Sequence, residues 1–128
     1  MLLLDSHCAY WLLSGHQRLG PEARRRIEEA TVVHVSAATV WEMSVKSVIG
    51  KIDLPDRFVD ALTSQGLVHL PVTSEQAEGV RTLPGALRRH DPFDRLLVAQ
   101  ARALGLTLLT ADRVLLGLDL PFVVDATR

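Results

Sequence analysis

The chain has 128 residues, of which 48% are apolar and 23% charged, with a formal charge of −1. That length supports one domain with a buried core, and the composition excludes a disordered chain and one that reaches nucleic acid through an overall positive field. The lone Cys8 excludes an internal disulfide and fits a reducing compartment.

In chain order, "LLL" at 2–4 is a short apolar run that ends at Asp5. Apolar residues then recur at helical spacing through Tyr10, Leu12 and Leu13 to Ser14 and Gly15. The start "MLLLDSHCAYWLLSG" has no basic stretch, is interrupted by Asp5 and His7, and is too short to span a bilayer. It is expected to be the mature N-terminus of a soluble, cytoplasmic protein, with Cys8 a small core residue. "PEARRRIEEA" opens on Pro and is rich in helix formers, whereas "TVVHVS" at 31–36 is β-branched and reads as a strand. "AATVWEMSVKSVIG" then places Val40, Trp41, Val45, Val48 and Ile49 on one helical face, with Gly50 as its C-cap.

Further on, "LPDRFVDALTSQG" predicts a helix, "LVHLPV" a strand and "TSEQAEGVRTL" a helix that starts near Ser74. "PGALRRHD" is a loop before the helix of "DPFDRLLVAQARALG". In that helix Asp91 is the N-cap, Pro92 the first helical residue and Asp94 a carboxylate in the positively polarised first turn. "LTLLTAD" at 106–112 is a strand, "RVLLGLD" a turn or short helix, and "PFVVD" a last strand. Strands and helices that alternate in this way predict one α/β domain over residues 1–128, around a mostly parallel sheet.

Ligands of open α/β sheets gather beyond the carboxyl ends of the strands. Asp5 and Asp112 end strands, Glu42 lies about a turn into the helix after "TVVHVS", and Asp94 stands in the first turn of its own helix. The four acids can therefore meet at one edge. Two carboxylates about 4 Å apart repel by roughly 4 kcal/mol at an effective dielectric near 20. Four together call for protonation or a cation, and hard oxygens match Mg²⁺ or Mn²⁺. No paired-His or Cys spacing supports a structural zinc site.

"LLLDSHCAYWLLSG", "VSAATVWEMSVKSVIGKIDLP" and "HDPFDRLLVAQARALGLTLLTAD" together resemble the PIN-domain family, in particular its VapC-type toxin ribonucleases. The resemblance runs over nearly the whole chain. It implies a three-layer α/β/α fold and an acidic pocket that binds Mg²⁺ or Mn²⁺. By motif, Asp5 of "LLLD", Glu42 of "WE", Asp94 of "DPFD" and Asp112 of "TAD" are the implied catalytic acids and metal ligands. Asp5 and Asp94 would hold the principal ion. The implied activity is metal-dependent hydrolysis of RNA phosphodiester bonds, checked by a cognate VapB-type antitoxin, in a chain expected to form a homodimer.

Other residues carry local readings beside functional ones. Ser6 either caps the first helix or serves an acid, and Lys46 pairs with Glu42 at i, i+4 or meets a phosphate. Arg24, Arg25 and Arg26 are expected to pair with Glu28 and Glu29 on an exposed face. Arg88, Arg89 and Arg95 flank the expected pocket and are candidates for contact with an RNA backbone. Arginine outnumbers lysine twelve to two, which suits phosphate but also follows from GC-rich coding. His7 and His90 are expected to make structural hydrogen bonds, and Trp11, Trp41 and Phe93 core or dimer contacts. Two competing readings remain: a PIN-fold protein that binds antitoxin or RNA without activity, and a phosphatase with Asp5 as nucleophile. The haloacid-dehalogenase type of phosphatase wants an Asp where this chain has His7.

Overall fold

Five short strands lie parallel in the order β3-β2-β1-β4-β5 in the computed structural model, which describes residues 1–128: β1 (Leu2–Leu4), β2 (Val33–Ser36), β3 (Val68–Leu70), β4 (Thr107–Thr110) and β5 (Val123–Asp125). Seven helices connect them: α1 (Ser6–Ser14), α2 (Pro21–Glu29), α3 (Ala37–Val48), α4 (Phe58–Ser64), α5 (Ser74–Glu78), α6 (Pro92–Leu104) and α7 (Arg113–Leu116). Every strand pairing is parallel, as the apolar runs of strands covered on both faces imply.

Side chains alternate across the sheet and so divide the core in two. Leu2, Leu4, Val33, Val35 and Leu109 pack with Cys8, Ala9 and Trp11 of α1, Ala23 of α2, and Phe58 and Leu62 of α4. Leu3 and Leu108 pack on the other face with Leu97, Val98 and Ala101 of α6 and Leu115 of α7. Helices thus cover both faces, and the architecture is the expected α/β/α sandwich. Cys8 is wholly buried, and burial with the nearby Asp5 pushes its thiol far above the usual range, so it is a core residue and no nucleophile.

The local signals hold where they are strongest. Gly15 and Gly105 end α1 and α6 in the left-handed region that glycine adopts without penalty. Asp91 accepts from the backbone N–H of Phe93 at 2.7 Å, as its place before Pro92 predicts. The helix expected over "TSEQAEGVRTL" is shorter. It begins with a Thr73–Gln76 capping box and tightens into a 3₁₀ turn over Gly79–Thr82. There the Arg102 guanidinium takes the carbonyls of Gly79 and Thr82, acceptors that a regular helix end leaves open. Strands β2 and β4 are also shorter than their apolar runs.

Helix α3 departs further from expectation. Its inward face is Ala38, Thr39, Glu42 and Met43, while Trp41 is 63% and Val48 86% exposed, and Val45 and Ile49 also face outward. The apolar face read from the spacing is real but stands outside the core. No helix is long and apolar enough to cross a membrane.

Candidate metal centre

Strands β2, β1 and β4 are neighbours, with Leu4 in register with Val35 and with Leu109, so the residues that follow them emerge side by side. Asp5 follows β1 and caps α1, its Oδ1 accepting from the Cys8 N–H at 2.8 Å. Its Oδ2 accepts from the hydroxyl of Thr110, the last residue of β4. Two donors thus hold a carboxylate that is only 3% exposed. Thr110 Oγ1 accepts in turn from the Asp112 N–H at 3.0 Å, so one hydroxyl ties the ends of β1 and β4 together.

Asp112 lies two residues past β4, not at its end, and caps α7 through Oδ1, which accepts from the Leu115 N–H at 3.0 Å. Its Oδ2 lies 3.2 Å from His90 Nε2. Asp94 sits in the first turn of α6, where Asp91 does the capping and leaves the Asp94 side chain free. Asp94 Oδ2 is also 3.2 Å from His90 Nε2, so the imidazole bridges the two carboxylates.

Asp5, Asp94 and Asp112 line one cleft of about 170 Å³, together with His7, Trp11, Arg18 and Ala111. Burial pushes the Asp94 carboxyl up to about 7; the charges of Asp91, Asp5 and Asp112 add to the rise, and His90 opposes it. An acid held that high by its neighbours marks a site short of positive charge. The donor atoms of His90, Asp94 and Asp112 all lie within 4.8 Å of one another. Carboxylate oxygens at that separation fit a hard divalent cation, and an imidazole among them is compatible with Mn²⁺.

Glu42 does not line this cleft. It is 5% exposed on α3, where Oε1 accepts from the Ser6 hydroxyl at 2.6 Å and Oε2 from Lys46 Nζ at 2.8 Å. Ser6 Oγ is also 3.1 Å from Thr39 Oγ1. Of the four expected acids the fold therefore gathers three, and sets the fourth behind Ser6 as half of an ion pair. Lys46 is the i, i+4 partner it was expected to be. Ser6 does not cap α1, because Asp5 does; it joins the residue after Asp5 to Glu42.

Other expectations also shift. Arg25 pairs with Glu29 and Glu22, and Arg26 with Glu22, while Glu28 takes no part. Arg88 and Arg95 line a neighbouring cleft instead of the acidic one. The arginine on the acidic cleft is Arg18, whose guanidinium lies 4.8 Å over the Trp11 ring. Trp11 is a core residue as expected, yet its ring also reaches the cleft wall. Trp41 packs edge to face on Phe93 at 5.0 Å on the surface. Sequence reasoning missed Thr39, Thr110 and Arg18; a threonine that bonds an acid 105 positions away leaves no local signal.

A family model described as PIN domain matches residues 2–119. The chain is 33% identical over 114 residues to Ribonuclease VapC22 of Mycobacterium tuberculosis, an alignment that covers 88% of this chain and 87% of that protein. Among solved structures it resembles a toxin-antitoxin complex from Klebsiella pneumoniae, with a TM-score of 0.67 at 22% identity over 97% of this chain and 96% of that one. It also resembles VapBC2 from Rickettsia felis, solved with a promoter DNA fragment, with a TM-score of 0.63 at 12% identity over the same shares.

Proposed function

We propose that this chain, which belongs to the PIN-domain family, is a metal-dependent endoribonuclease toxin, one PIN domain neutralised by a cognate antitoxin. One observation carries the chemistry. Three carboxylates share a cleft at the carboxyl edge of the sheet, and their mutual field, with burial, lifts Asp94 to about 7. A Mg²⁺ or Mn²⁺ ion bound there supplies positive charge that activates water and offsets charge on the scissile phosphate. In the reaction, water adds to phosphorus and the bond to the leaving oxygen breaks, giving a phosphate monoester and a hydroxyl.

Each residue then has a stated task. Asp5 and Asp94 hold the principal ion, and Asp112 completes the cleft. Thr110 orients Asp5 by donating to Oδ2, as hydrogen bonds behind a metal ligand commonly do. Glu42, with Lys46 and Ser6, acts from behind by fixing Ser6 against the start of α1. His90 holds Asp94 and Asp112 at one spacing. Arg18, braced on Trp11 and in no ion pair with the acids, donates to a phosphate oxygen of the substrate. Arg18→Ala is expected to raise KM for RNA about fivefold to tenfold with little change in kcat. A fall confined to kcat would place Arg18 elsewhere in the reaction.

The partners follow from the relatives and from the surface. VapC-type relatives stand in toxin–antitoxin complexes, and an antitoxin tail with a basic residue would satisfy the same carboxylates that a metal does. The exposed face of Trp41, Val45, Val48 and Ile49 is the proposed homodimer contact. Trp41→Glu is expected to convert a dimer to a monomer in sedimentation velocity, and an unchanged mass would remove that face from the interface.

The test of the function is cleavage of a mixed pool of structured RNAs with Mg²⁺, Mn²⁺ or EDTA. Cuts that require the metal support the nuclease. A folded chain that neither cuts RNA nor binds Mn²⁺ would be the inactive binding protein instead.

A further inference from the structure

The twelve arginines of the chain are spent unequally. Arg25, Arg26, Arg57, Arg113 and Arg128 form ion pairs within the chain. Arg24 and Arg102 are used on backbone carbonyls. Arg81, Arg88 and Arg95 instead line a single cleft of about 280 Å³ whose walls include Leu87 and Pro84 and no carboxylate. Arg95 is anchored there by one bond, from its guanidinium to the Arg88 carbonyl at 3.2 Å, and its Nε is buried without a partner. Three unpaired guanidiniums facing one space repel one another, and an anion relieves that repulsion. Their planar forks match a phosphate better than a point charge would.

We infer that this cleft is a binding site for a backbone phosphate of the RNA strand, flanking the phosphate that is cut. The inference rests on the ribonuclease reading for its ligand, and the continuity of the chain supplies the link. Asp94 lines the acidic cleft and the next residue, Arg95, lines the arginine cleft, both on the rigid first turn of α6. Arg88 likewise stands two positions before His90, which bridges Asp94 and Asp112. A strand seated on the three carboxylates is repelled by them, and contacts to neighbouring phosphates hold it in register.

The experiment uses a fluorescent single-stranded RNA of 12 mixed nucleotides and the full chain carrying Asp5→Asn, so that binding is read without cleavage. Arg81→Ala with Arg88→Ala is compared with a charge-matched control, Arg25→Ala with Arg57→Ala, whose arginines form surface pairs elsewhere. The cleft variant is expected to bind the RNA about tenfold more weakly than the control. Its slope of log affinity against log salt is expected to be shallower by about 1.4, at about 0.7 per lost phosphate contact. Arg81→Lys with Arg88→Lys is expected to recover part of both. Equal affinity and slope in cleft variant and control overturn the inference. So does RNA binding that matches the control while a Glu-rich peptide of 12 residues loses its binding, since the cleft would then serve an acidic protein segment. Cleavage by the chain without Asp5→Asn separates the two readings. If that chain cuts RNA and the cleft variant binds like the control, only the second site falls. If it never cuts RNA but binds the 12-nucleotide probe through Arg81 and Arg88, the nuclease reading falls and the site stands.

Discussion

Asp5→Asn is expected to lower RNA cleavage by more than about 100-fold, the scale on which metal-site ligands and their supports matter. The substitution keeps the volume and keeps an oxygen that can accept from the Cys8 N–H. It removes the charge at the centre of the cleft and turns an acceptor facing Thr110 into a donor. The Thr110 hydroxyl can rotate, because its oxygen has a second lone pair beside the one that takes the Asp112 N–H. The stability cost is therefore about 1 kcal/mol, and a thermal melt separates it from the loss of activity. Mn²⁺ titration and single-turnover cleavage are the two measurements. Glu42→Gln is expected to cost less than Asp5→Asn, because Glu42 is engaged with Lys46 and Ser6 and stands off the cleft. A folded Asp5→Asn chain that binds Mn²⁺ and cuts like the unsubstituted chain would refute the assignment of Asp5.

The second large effect is on stability against pH. Asp94 is raised from 3.8 to about 7 in the folded chain. Between those values the folded state keeps a proton that the unfolded state has released, so folded molecules bind more protons than unfolded ones. Stability then falls as pH rises through the window from about 4 to about 7. Three units at 1.36 kcal/mol each set a ceiling of about 4 kcal/mol, and sharing among Asp91, Asp5 and Asp112 brings the expected loss to a few kcal/mol. The metal-free chain in EDTA is thus expected to melt lower at pH 8 than at pH 5, and Asp94→Asn to flatten most of that difference. Added Mn²⁺ is expected to restore stability at pH 8, by about 2.7 kcal/mol at a hundred times its Kd. Histidines titrate in the same range, and the comparison with Asp94→Asn isolates the carboxylate. Equal pH dependence in both chains would show that the acids do not share one field.

Both expectations depend on groups whose types and caps are visible in the chain but whose neighbours are not. Capping is local, so Asp91 before Pro92, and Asp94 three residues on, were readable as the start of a helix. The ends of α1 and α6 were equally plain, since only glycine enters the left-handed region freely. Four acids at the carboxyl edge of a parallel sheet followed from the order of strands and helices. Their meeting in threes did not, because Glu42 and Lys46 satisfy each other one turn apart on α3 and no local rule says which face of α3 turns inward. Spacing showed that Trp41, Val45, Val48 and Ile49 share a face, and it is silent on whether a sheet or solvent lies beyond that face.

By itself, then, the sequence determined the α/β alternation, the helix caps, the core strands and the identity of the family, all set by interactions within a few positions or by motifs read whole. Only the tertiary structure decided that Thr110 holds Asp5, that His90 bridges Asp94 and Asp112, and that Arg18 joins the acidic cleft while Arg81, Arg88 and Arg95 gather in the next one. Those contacts cross between strands and loops far apart in the chain. They arise because β1 lies between β2 and β4, an order that the pairing of buried faces selects and that no local run of residues records.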